Sequence, residues 1–232
     1  MTNVIFFGSS AYSLPLIEAL RSHFDLRLIV TRPDKPVGRK QILTASPPKQ
    51  FGIENNIPVI TPETLRERAI DEELQRINPD IAIVADYGLI IPRSIFEVPR
   101  YQTINIHFSR LPQFPGPSPV QYSILNGEER AWITFMLIEE GLDTVPLVFQ
   151  KEFPLSSFAT TGTLYTHLFE EAAKLLPDVI NGYIKGTYIS KTQNSKLEAR
   201  NSITTKHITK PDAFIPWNLI EKAIAGSDIE KS

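Results

Sequence analysis

The chain has 232 residues, a formal net charge of −2 at pH 7 and no cysteine, and 42% of its residues are hydrophobic. Disulfides, thiol nucleophiles and cysteine–zinc sites are therefore excluded, and four scattered histidines predict no metal site. The balanced charge shows no global basic excess, although a local basic loop would serve a nucleic-acid partner equally well. No apolar run approaches the roughly 18 residues of a membrane span, and no signal peptide is recognisable. We expect a cytoplasmic protein without membrane contact.

The first half of the chain alternates strand and helix patterns. An apolar run at residues 4–7 predicts a strand that Gly8 ends, and Ser9 and Ser10 offer capping oxygens for a helix to about residue 22. The same patterns predict strands at residues 26–30, 59–60, 81–85 and 102–107, and helices from Pro47 and at residues 64–77. This alternation predicts an α/β fold with a doubly wound, mainly parallel sheet.

The pattern changes after residue 130. Two strand-like runs, at residues 132–138 and 147–153, leave no room for a helix between them and predict an antiparallel pair. A long closing helix follows at residues 161–182. We predict one folded domain over residues 1–185. Residues 186–232 are then a linker, rich in Thr, Ser, Lys and Asn to about residue 210, and a short helix at 217–225, without a complete second domain.

A polar pair marks the end of the strand at residues 102–107. Asn105 and His107 stand two residues apart, so a strand places both side chains on one face, with Ile104 and Ile106 on the other. The chain then enters a proline-rich loop, so the pair lies where a strand ends, which is where parallel α/β sheets bind ligands. An amide, an imidazole and a nearby carboxylate, Asp143, form a polar constellation that suits catalysis.

Several further motifs stand in order along the chain. They are Thr-Arg-Pro-Asp-Lys-Pro-Val-Gly-Arg at residues 31–39, Ala-Asp-Tyr-Gly-Leu-Ile-Ile-Pro at 85–92, Asn-x-His-x-Ser-x-Leu-Pro at 105–112, and Gly-Leu-Asp-Thr at 141–144. With these motifs the chain resembles the folate-dependent formyltransferases, and within them the methionyl-tRNA formyltransferases. The resemblance runs from residue 6 to about residue 186 and implies the Rossmann-like formyltransferase fold, with residues 1–185 as the catalytic domain.

The resemblance also implies an activity, transfer of a formyl group from 10-formyltetrahydrofolate to the amino group of initiator methionyl-tRNA, by a monomeric enzyme without a metal. It implies that Asn105, His107 and Asp143 are the catalytic residues. Amine attack on the formyl carbon develops an oxyanion, for which Asn105 and His107 supply donors, while Asp143 orients the imidazole and assists proton transfer.

Two sets of binding residues follow from the same resemblance. The folate co-substrate is expected to contact Tyr87, Gly88, Leu89, Ile90, Ile91, Pro92, Ser109, Leu111 and Pro112. The tRNA acceptor end is expected to contact Arg32, Lys35, Arg39 and Lys40, because lysine and arginine side chains neutralise phosphates.

Three departures from the family pattern leave alternatives open. Val145-Pro146 stands where relatives carry Gly-Asp, and residues 113–116 lack two basic side chains that relatives usually have. Beyond residue 185 we also expect no C-terminal β-barrel domain of the kind that the resemblance implies for tRNA binding. The first alternative is a catalytically weakened relative that binds folate or RNA. The second is a formyltransferase for a small amine such as an amino-sugar nucleotide.

Overall fold

The protein, studied as a computed structural model, is described at residues 1–139, 146–188, 191–192 and 203–208, with the backbone alone at 191–192. Its centre is an eight-stranded sheet with the order β10-β9-β8-β7-β6-β1-β2-β5. The strands are β1 (Asn3–Phe7), β2 (Asp25–Val30), β5 (Val59–Ile60), β6 (Ile81–Val84), β7 (Thr103–His107), β8 (Arg130–Leu137), β9 (Pro146–Pro154) and β10 (Lys191–Thr192). A separate hairpin consists of β3 (Lys35–Val37) and β4 (Ile42–Thr44).

Helices cover both faces of this sheet. They are α1 (Leu14–His23), α2 (Pro47–Glu54), α3 (Arg68–Ile77), α4 (Arg93–Phe96), α5 (Pro119–Leu125) and α6 (Thr161–Ile184). One core contains Val4, Phe6 and Ile104 together with the buried sides of α1 and α6. The core on the opposite face contains Ile5, Val84 and side chains from α3 and α4. No helix among the residues placed here is long and apolar enough to cross a bilayer.

The sheet confirms the predicted fold class. Strands β7, β6, β1, β2 and β5 run parallel to one another, and the near-continuous apolar sequences of β1 and β6 are typical of strands buried on both faces. The predicted antiparallel pair is β8 and β9, and β8 also pairs antiparallel with β7. The order of the strands reverses between β1 and β6, so the topological switch point lies between these two strands.

Local predictions were less accurate at the helix starts and in the loops. Ser9 and Ser10 do not cap α1, which follows a 3-10 turn at Ala11–Ser13 and begins at Leu14. Helix α3 begins at Arg68 and not at residue 64. The β3–β4 hairpin and the short helices α4 and α5 were not predicted, because each is shorter than the window over which apolar periodicity is visible.

Several predicted features lie outside the described residues, among them Asp143, Val145 and the helix at residues 217–225. Within the predicted linker, β10 pairs antiparallel with β9, and Thr205 is buried against the loop that follows β7. Two pieces of this region therefore contact the domain that precedes it.

Candidate active site

Strand β7 carries Asn105 and His107 to the carboxyl edge of the sheet. Ile104 and Ile106 belong to the core on the α6 side, so the alternating residues point to the opposite face, as their spacing predicts. Asn105 pairs in register with Val84, which is the last residue of β6 before the β6–α4 loop begins. Both side chains are half-buried, and no hydrogen bond within the described part of the chain uses the Asn105 amide.

A cleft of about 660 Å³ opens on the face of the sheet to which Asn105 and His107 point. Its apolar walls include Leu65, Leu89, Ile91 and Phe96, and charged groups such as Glu63 and Glu139 stand among its lining. The β6–α4 loop supplies the longest continuous part of that lining, residues 88–93. An apolar cleft with a few polar groups at the carboxyl edge of parallel strands is the usual form of a small-molecule site.

The cleft also offers unused backbone hydrogen-bonding groups. Within the described residues, no hydrogen bond uses the N–H or the carbonyl of residues 88–91. The loop is nevertheless fixed just before this stretch, because the Ser9 hydroxyl donates to the Tyr87 carbonyl at 3.0 Å and the Ser9 N–H donates to the Asp86 carbonyl at 3.2 Å. A held loop with free donors and acceptors suits a flat heteroaromatic ligand that carries both kinds of group.

His107 is held by a backbone carbonyl. Its Nε2 lies 3.0 Å from the carbonyl oxygen of Phe114, and because a carbonyl only accepts, the ring proton resides on Nε2. Nδ1 of the neutral ring is then the free acceptor. Burial lowers the pKa of His107, and the bond to Phe114 opposes this by favouring the charged ring. His107 is therefore neutral at pH 7.

A polar row crosses three strands beside His107. Thr134 of β8 lies opposite His107, and Gln150 of β9 lies opposite Thr134. The Gln150 amide donates to the Thr134 hydroxyl at 2.9 Å, and this hydroxyl donates to the Ser109 carbonyl at 2.6 Å. The row thereby fixes the start of the loop whose Phe114 carbonyl binds His107.

Phe114 adopts a left-handed backbone conformation, with φ of 53°. This region is unfavourable for a bulky side chain, so the surrounding structure must hold it. The ring is 6% exposed, and the Ser109 hydroxyl donates to the Gln113 carbonyl at 2.6 Å within the same loop. Sequence reasoning singled out His107 but not its partners, because a carbonyl from a loop and a threonine from another strand leave no local motif.

The predicted folate-contacting residues fall into two groups. Residues 88–92 line the cleft. Tyr87 is 2% exposed and packs edge-on against Phe7, while Ser109 and Leu111 are buried in the loop after His107 and do not line the cleft. Pro112 is half-buried in that same loop. Their placement gives them supporting positions behind the cleft and beside His107.

The loop that contains Asp143 lies outside the described residues, but its flanks are placed. Glu139 lines the cleft and Pro146 begins β9. The predicted role of Asp143 therefore stays a prediction.

The predicted tRNA-contacting residues also fall into two groups. Lys35, Arg39 and Lys40 belong to the β3–β4 hairpin, in which all residues from 35 to 44 are exposed. Arg32 follows the end of β2 and is half-buried. Its Nη1 lies 3.5 Å from the position that a Cβ atom on Gly88 would occupy. Arg32 thus lies beside Gly88 in the β6–α4 loop.

Asp86 shares this position with Arg32. Its side chain is exposed, yet protein atoms crowd the carboxyl and raise its pKa, an effect that the charge of Arg32 opposes. The carboxylate and the guanidinium are thus charged groups of opposite sign beside the β6–α4 loop.

The β3–β4 hairpin is basic, and part of its exposed surface is apolar. Between residues 35 and 44 it carries three cationic side chains and no acidic one, while Val37, Ile42 and Leu43 are 56%, 60% and 67% exposed. Its base is fixed to α2, because Lys49 Nζ contacts both carboxylate oxygens of Asp34 at 2.7 and 2.8 Å. No group of His, Asp and Glu side chains suited to a metal ion occurs in the part of the chain described here.

Comparison with known proteins places the chain in a family. Residues 2–180 match the family model described as formyl transferase. The chain is 38% identical over 219 residues to the methionyl-tRNA formyltransferase of Listeria welshimeri, covering 94% of this chain and 68% of that protein. It is 37% identical to the methionyl-tRNA formyltransferase of Roseiflexus sp., covering 92% of this chain and 65% of that protein.

Solved structures agree on the fold. A phosphoribosylglycinamide formyltransferase from Bacillus halodurans superposes with a TM-score of 0.66 at 18% identity, covering 80% of this chain and 97% of that one. An N-formyltransferase from Helicobacter canadensis, solved with folinic acid and dTDP-3-aminofucose, gives a TM-score of 0.63 at 23% identity over 90% of this chain and 73% of that one. The sequence match and the shared fold lead to one conclusion: the chain belongs to the formyl transferase family.

Proposed function

We propose that the protein transfers a formyl group from 10-formyltetrahydrofolate to the amino group of initiator methionyl-tRNA. One observation supports this assignment above the others: Asn105 and His107 project from β7 on the face of the sheet that bears the cleft, one strand away from a loop with unused backbone groups. The methionyl-tRNA formyltransferases cited above support the substrate. The chain spans about two thirds of their length.

The residues present fit the folate co-substrate. A pterin ring is flat and carries donors and acceptors along one edge, which the free N–H and carbonyl groups of residues 88–91 match. Leu65, Leu89 and Phe96 supply apolar walls for its faces. Ile90 is 91% exposed at the rim, where a longer ligand would cover it. We infer that the cleft binds the ring. Its lining contains no residue of β7, so the formyl group must extend beyond the cleft to reach Asn105 and His107.

The chemistry divides between the two polar side chains of β7. Formyl transfer joins the amine nitrogen to the formyl carbon, concentrates negative charge on the formyl oxygen, and breaks the bond to the folate nitrogen, which leaves with a proton. The Asn105 amide, which has no partner among the described residues, donates to the oxygen as charge develops. The Nε2 proton of His107 is already bound to Phe114, so Nδ1 accepts the proton that the attacking amine loses.

This arrangement changes the role that the sequence suggested for His107. The residue types alone allow the imidazole to donate to the oxyanion, whereas the Phe114 carbonyl occupies its N–H. The lowered pKa of the ring keeps it neutral and able to accept at physiological pH. Asp143 remains the predicted residue that orients the imidazole and assists transfer of the amine's proton.

The hairpin supports a nucleic-acid substrate over a small amine. Its cations lie on an exposed projection without an acidic residue, as expected for a surface that binds phosphates. Exposed Ile42 and Leu43 add apolar area on which an unpaired base can pack. A small amino sugar needs no such projection, so the structure favours the tRNA end as the acceptor.

The decisive experiment is single-turnover transfer of labelled formyl from 10-formyltetrahydrofolate to initiator methionyl-tRNA. We expect wild-type protein to formylate the tRNA and His107→Ala to lose the activity, while folate binding, measured by fluorescence quenching in the same samples, persists. His23→Ala is the matched control, because His23 is exposed at the end of α1. Transfer that survives His107→Ala refutes the mechanism, and folate binding without transfer to any tRNA refutes the proposed activity.

A further inference from the structure

A short C-terminal segment, residues 203–208, fastens the loop that follows β7. Thr205 is only 4% exposed, although Thr204 and Lys206 beside it are exposed. Its N–H donates to the Pro115 carbonyl at 2.7 Å, and its hydroxyl donates to the same carbonyl at 2.9 Å. The hydroxyl oxygen in turn accepts from the Ser118 N–H at 3.1 Å. One buried side chain thereby joins both ends of the turn at residues 115–118.

Gly116 makes this close approach possible. Its φ is +107°, a backbone conformation that side chains rarely adopt. A Cβ at this position would lie 2.5 Å from the Thr205 carbonyl oxygen and 2.7 Å from its hydroxyl oxygen, both too close for real atoms. The turn and the segment therefore fit one another by shape as well as by hydrogen bonds.

The fastening lies one residue from the group that holds His107. The Phe114 carbonyl, which accepts from His107 Nε2, belongs to the peptide bond between Phe114 and Pro115. The next carbonyl, that of Pro115, is the one that Thr205 binds twice. Because the proline ring fixes φ, a single soft torsion, the ψ of Pro115, separates the two carbonyls.

The loop is thus held from two sides. The sheet holds its first part through Thr134, which donates to the Ser109 carbonyl, and Thr205 holds the part after Phe114. Phe114 lies between these anchors in a left-handed conformation that is unfavourable for its side chain. Without the second anchor, the Phe114 carbonyl is held only by the Ser109 hydroxyl at 3.3 Å and by His107 itself. The Phe114 peptide can then rotate toward a more favourable conformation and withdraw its carbonyl from the imidazole.

We propose that Thr205 is a positioning residue for His107. By holding the Pro115 carbonyl, it fixes the Phe114 carbonyl, which keeps the imidazole proton on Nε2 and leaves Nδ1 toward the acceptor amine. The catalytic consequence rests on the function proposed above. The structural part concerns the state of one imidazole and is measurable without any substrate.

Thr205→Val tests this directly, because valine keeps the shape of threonine and removes only the hydroxyl. Thr205→Ser, which restores the hydroxyl, is the rescue, and Thr204→Val is the matched control at an exposed neighbour. The first measurement is the NMR titration of His107 in the free protein, with His107→Gln used to assign the signal. Burial and the Phe114 carbonyl are the influences found on this ring, and the carbonyl raises its pKa. We expect the titration midpoint to fall in Thr205→Val and to return in Thr205→Ser.

The second measurement is the kinetics of formyl transfer. We expect kcat to fall about 10- to 100-fold in Thr205→Val, as for the misplacement of a catalytic group, with little change in KM for the formyl donor. Thr205→Ser and Thr204→Val are expected to match wild type. Thr205→Ala serves as a second variant, and circular dichroism checks that each protein is folded.

The NMR titration and the kinetics test this proposal and the proposed function separately. A folded Thr205→Val protein with an unchanged His107 midpoint overturns the positioning role, whatever its activity. A shifted midpoint in a protein that transfers no formyl group, in wild type or variant, supports the positioning role and overturns the proposed activity. A lowered kcat with an unchanged KM, together with a shifted titration midpoint of His107, supports both the positioning role and the proposed function.

Discussion

The loop after β7 and the β3–β4 hairpin are built in opposite ways. In the loop, Ser109, Phe114 and Pro115 each have a carbonyl that accepts a hydrogen bond from a side chain, and Phe114 is buried. In the hairpin every residue from 35 to 44 is exposed, and the ion pair between Lys49 and Asp34 fixes its base. Chemistry at a formyl carbon needs a fixed donor geometry, whereas a polyanion is bound by exposed cations that neutralise its phosphates.

The first prediction concerns the fixed region and has the largest expected effect. We expect Asn105→Ala to lower the rate of formyl transfer about 100- to 1000-fold, because the variant loses a donor aimed at the developing oxyanion. The affinity for tRNA is expected to stay the same. Single-turnover rates and filter binding on the same preparations measure the two quantities.

Asn105→Asp is the sharper companion variant. Aspartate has the size of asparagine but replaces the amide donor with a negative charge, so we expect a loss at least as large as that of Asn105→Ala. An Asn105→Asp protein that retains wild-type rates would show that the amide is not an oxyanion donor.

The second prediction concerns the hairpin. We expect the triple variant Lys35→Ala, Arg39→Ala and Lys40→Ala to weaken tRNA binding. The slope of log K against log salt should become shallower by up to about 3, close to one for each phosphate that the variant no longer neutralises. The rate of the chemical step at saturating tRNA is expected to be unchanged. Binding measured between low and moderate salt tests the slope, and single-turnover rates test the chemical step.

A matched triple variant controls for the loss of charge alone. Arg21, Arg27 and Arg76 are exposed cations that each form an ion pair with a neighbouring carboxylate. Changing all three to alanine removes the same charge from other parts of the surface. An equal loss of tRNA affinity in both triples would show that overall charge, and not the hairpin, governs binding.

The third prediction uses the ionisation of His107. Burial places its pKa below the usual imidazole value, so the neutral ring persists to a lower pH than that of a free histidine. We expect the transfer rate to rise with pH through a midpoint below that usual value, because protonation occupies Nδ1 and removes the base. The pH–rate profile under single-turnover conditions measures the midpoint. A profile whose rate falls as His107 loses its proton would assign it the donor role instead.

Much of the fixed region could be predicted from sequence, and the reasons are physical. The alternation of Ile104 and Ile106 with Asn105 and His107 determines which residues face the core, and this prediction is confirmed. The partners of His107 could not be predicted in the same way. Phe114 binds it from a loop, and Thr134 and Thr205 bind that loop from a neighbouring strand and from a distant part of the chain. None of these relations produces a periodic pattern in the sequence.

The hairpin shows a second limit of prediction from sequence. Its cations were recognised from sequence as a basic loop, but the strands β3 and β4 were not, because three-residue strands with all side chains exposed carry no hydrophobic alternation. The apolar pattern of a buried strand or helix predicts where that element lies in the sequence. An exposed element has no such pattern and is recognisable only by its charged residues.

The last prediction compares stability in the two regions. Thr134 is fully buried and its hydroxyl both donates to the Ser109 carbonyl and accepts from Gln150. We expect Thr134→Val to lower the free energy of unfolding by about 0.5–1.5 kcal/mol, because it removes two hydrogen bonds while the Ser109 carbonyl keeps the Leu111 N–H at 3.1 Å and the Gln150 amide keeps the Leu111 carbonyl at 3.3 Å. Leu43 is 67% exposed, and we expect Leu43→Ser to change that free energy by less than about 0.5 kcal/mol. Urea denaturation of both variants tests the pair. A large loss for Leu43→Ser would mean that the hairpin packs against the folded domain in solution, and its exposed apolar side chains would then be structural and not available to bind tRNA.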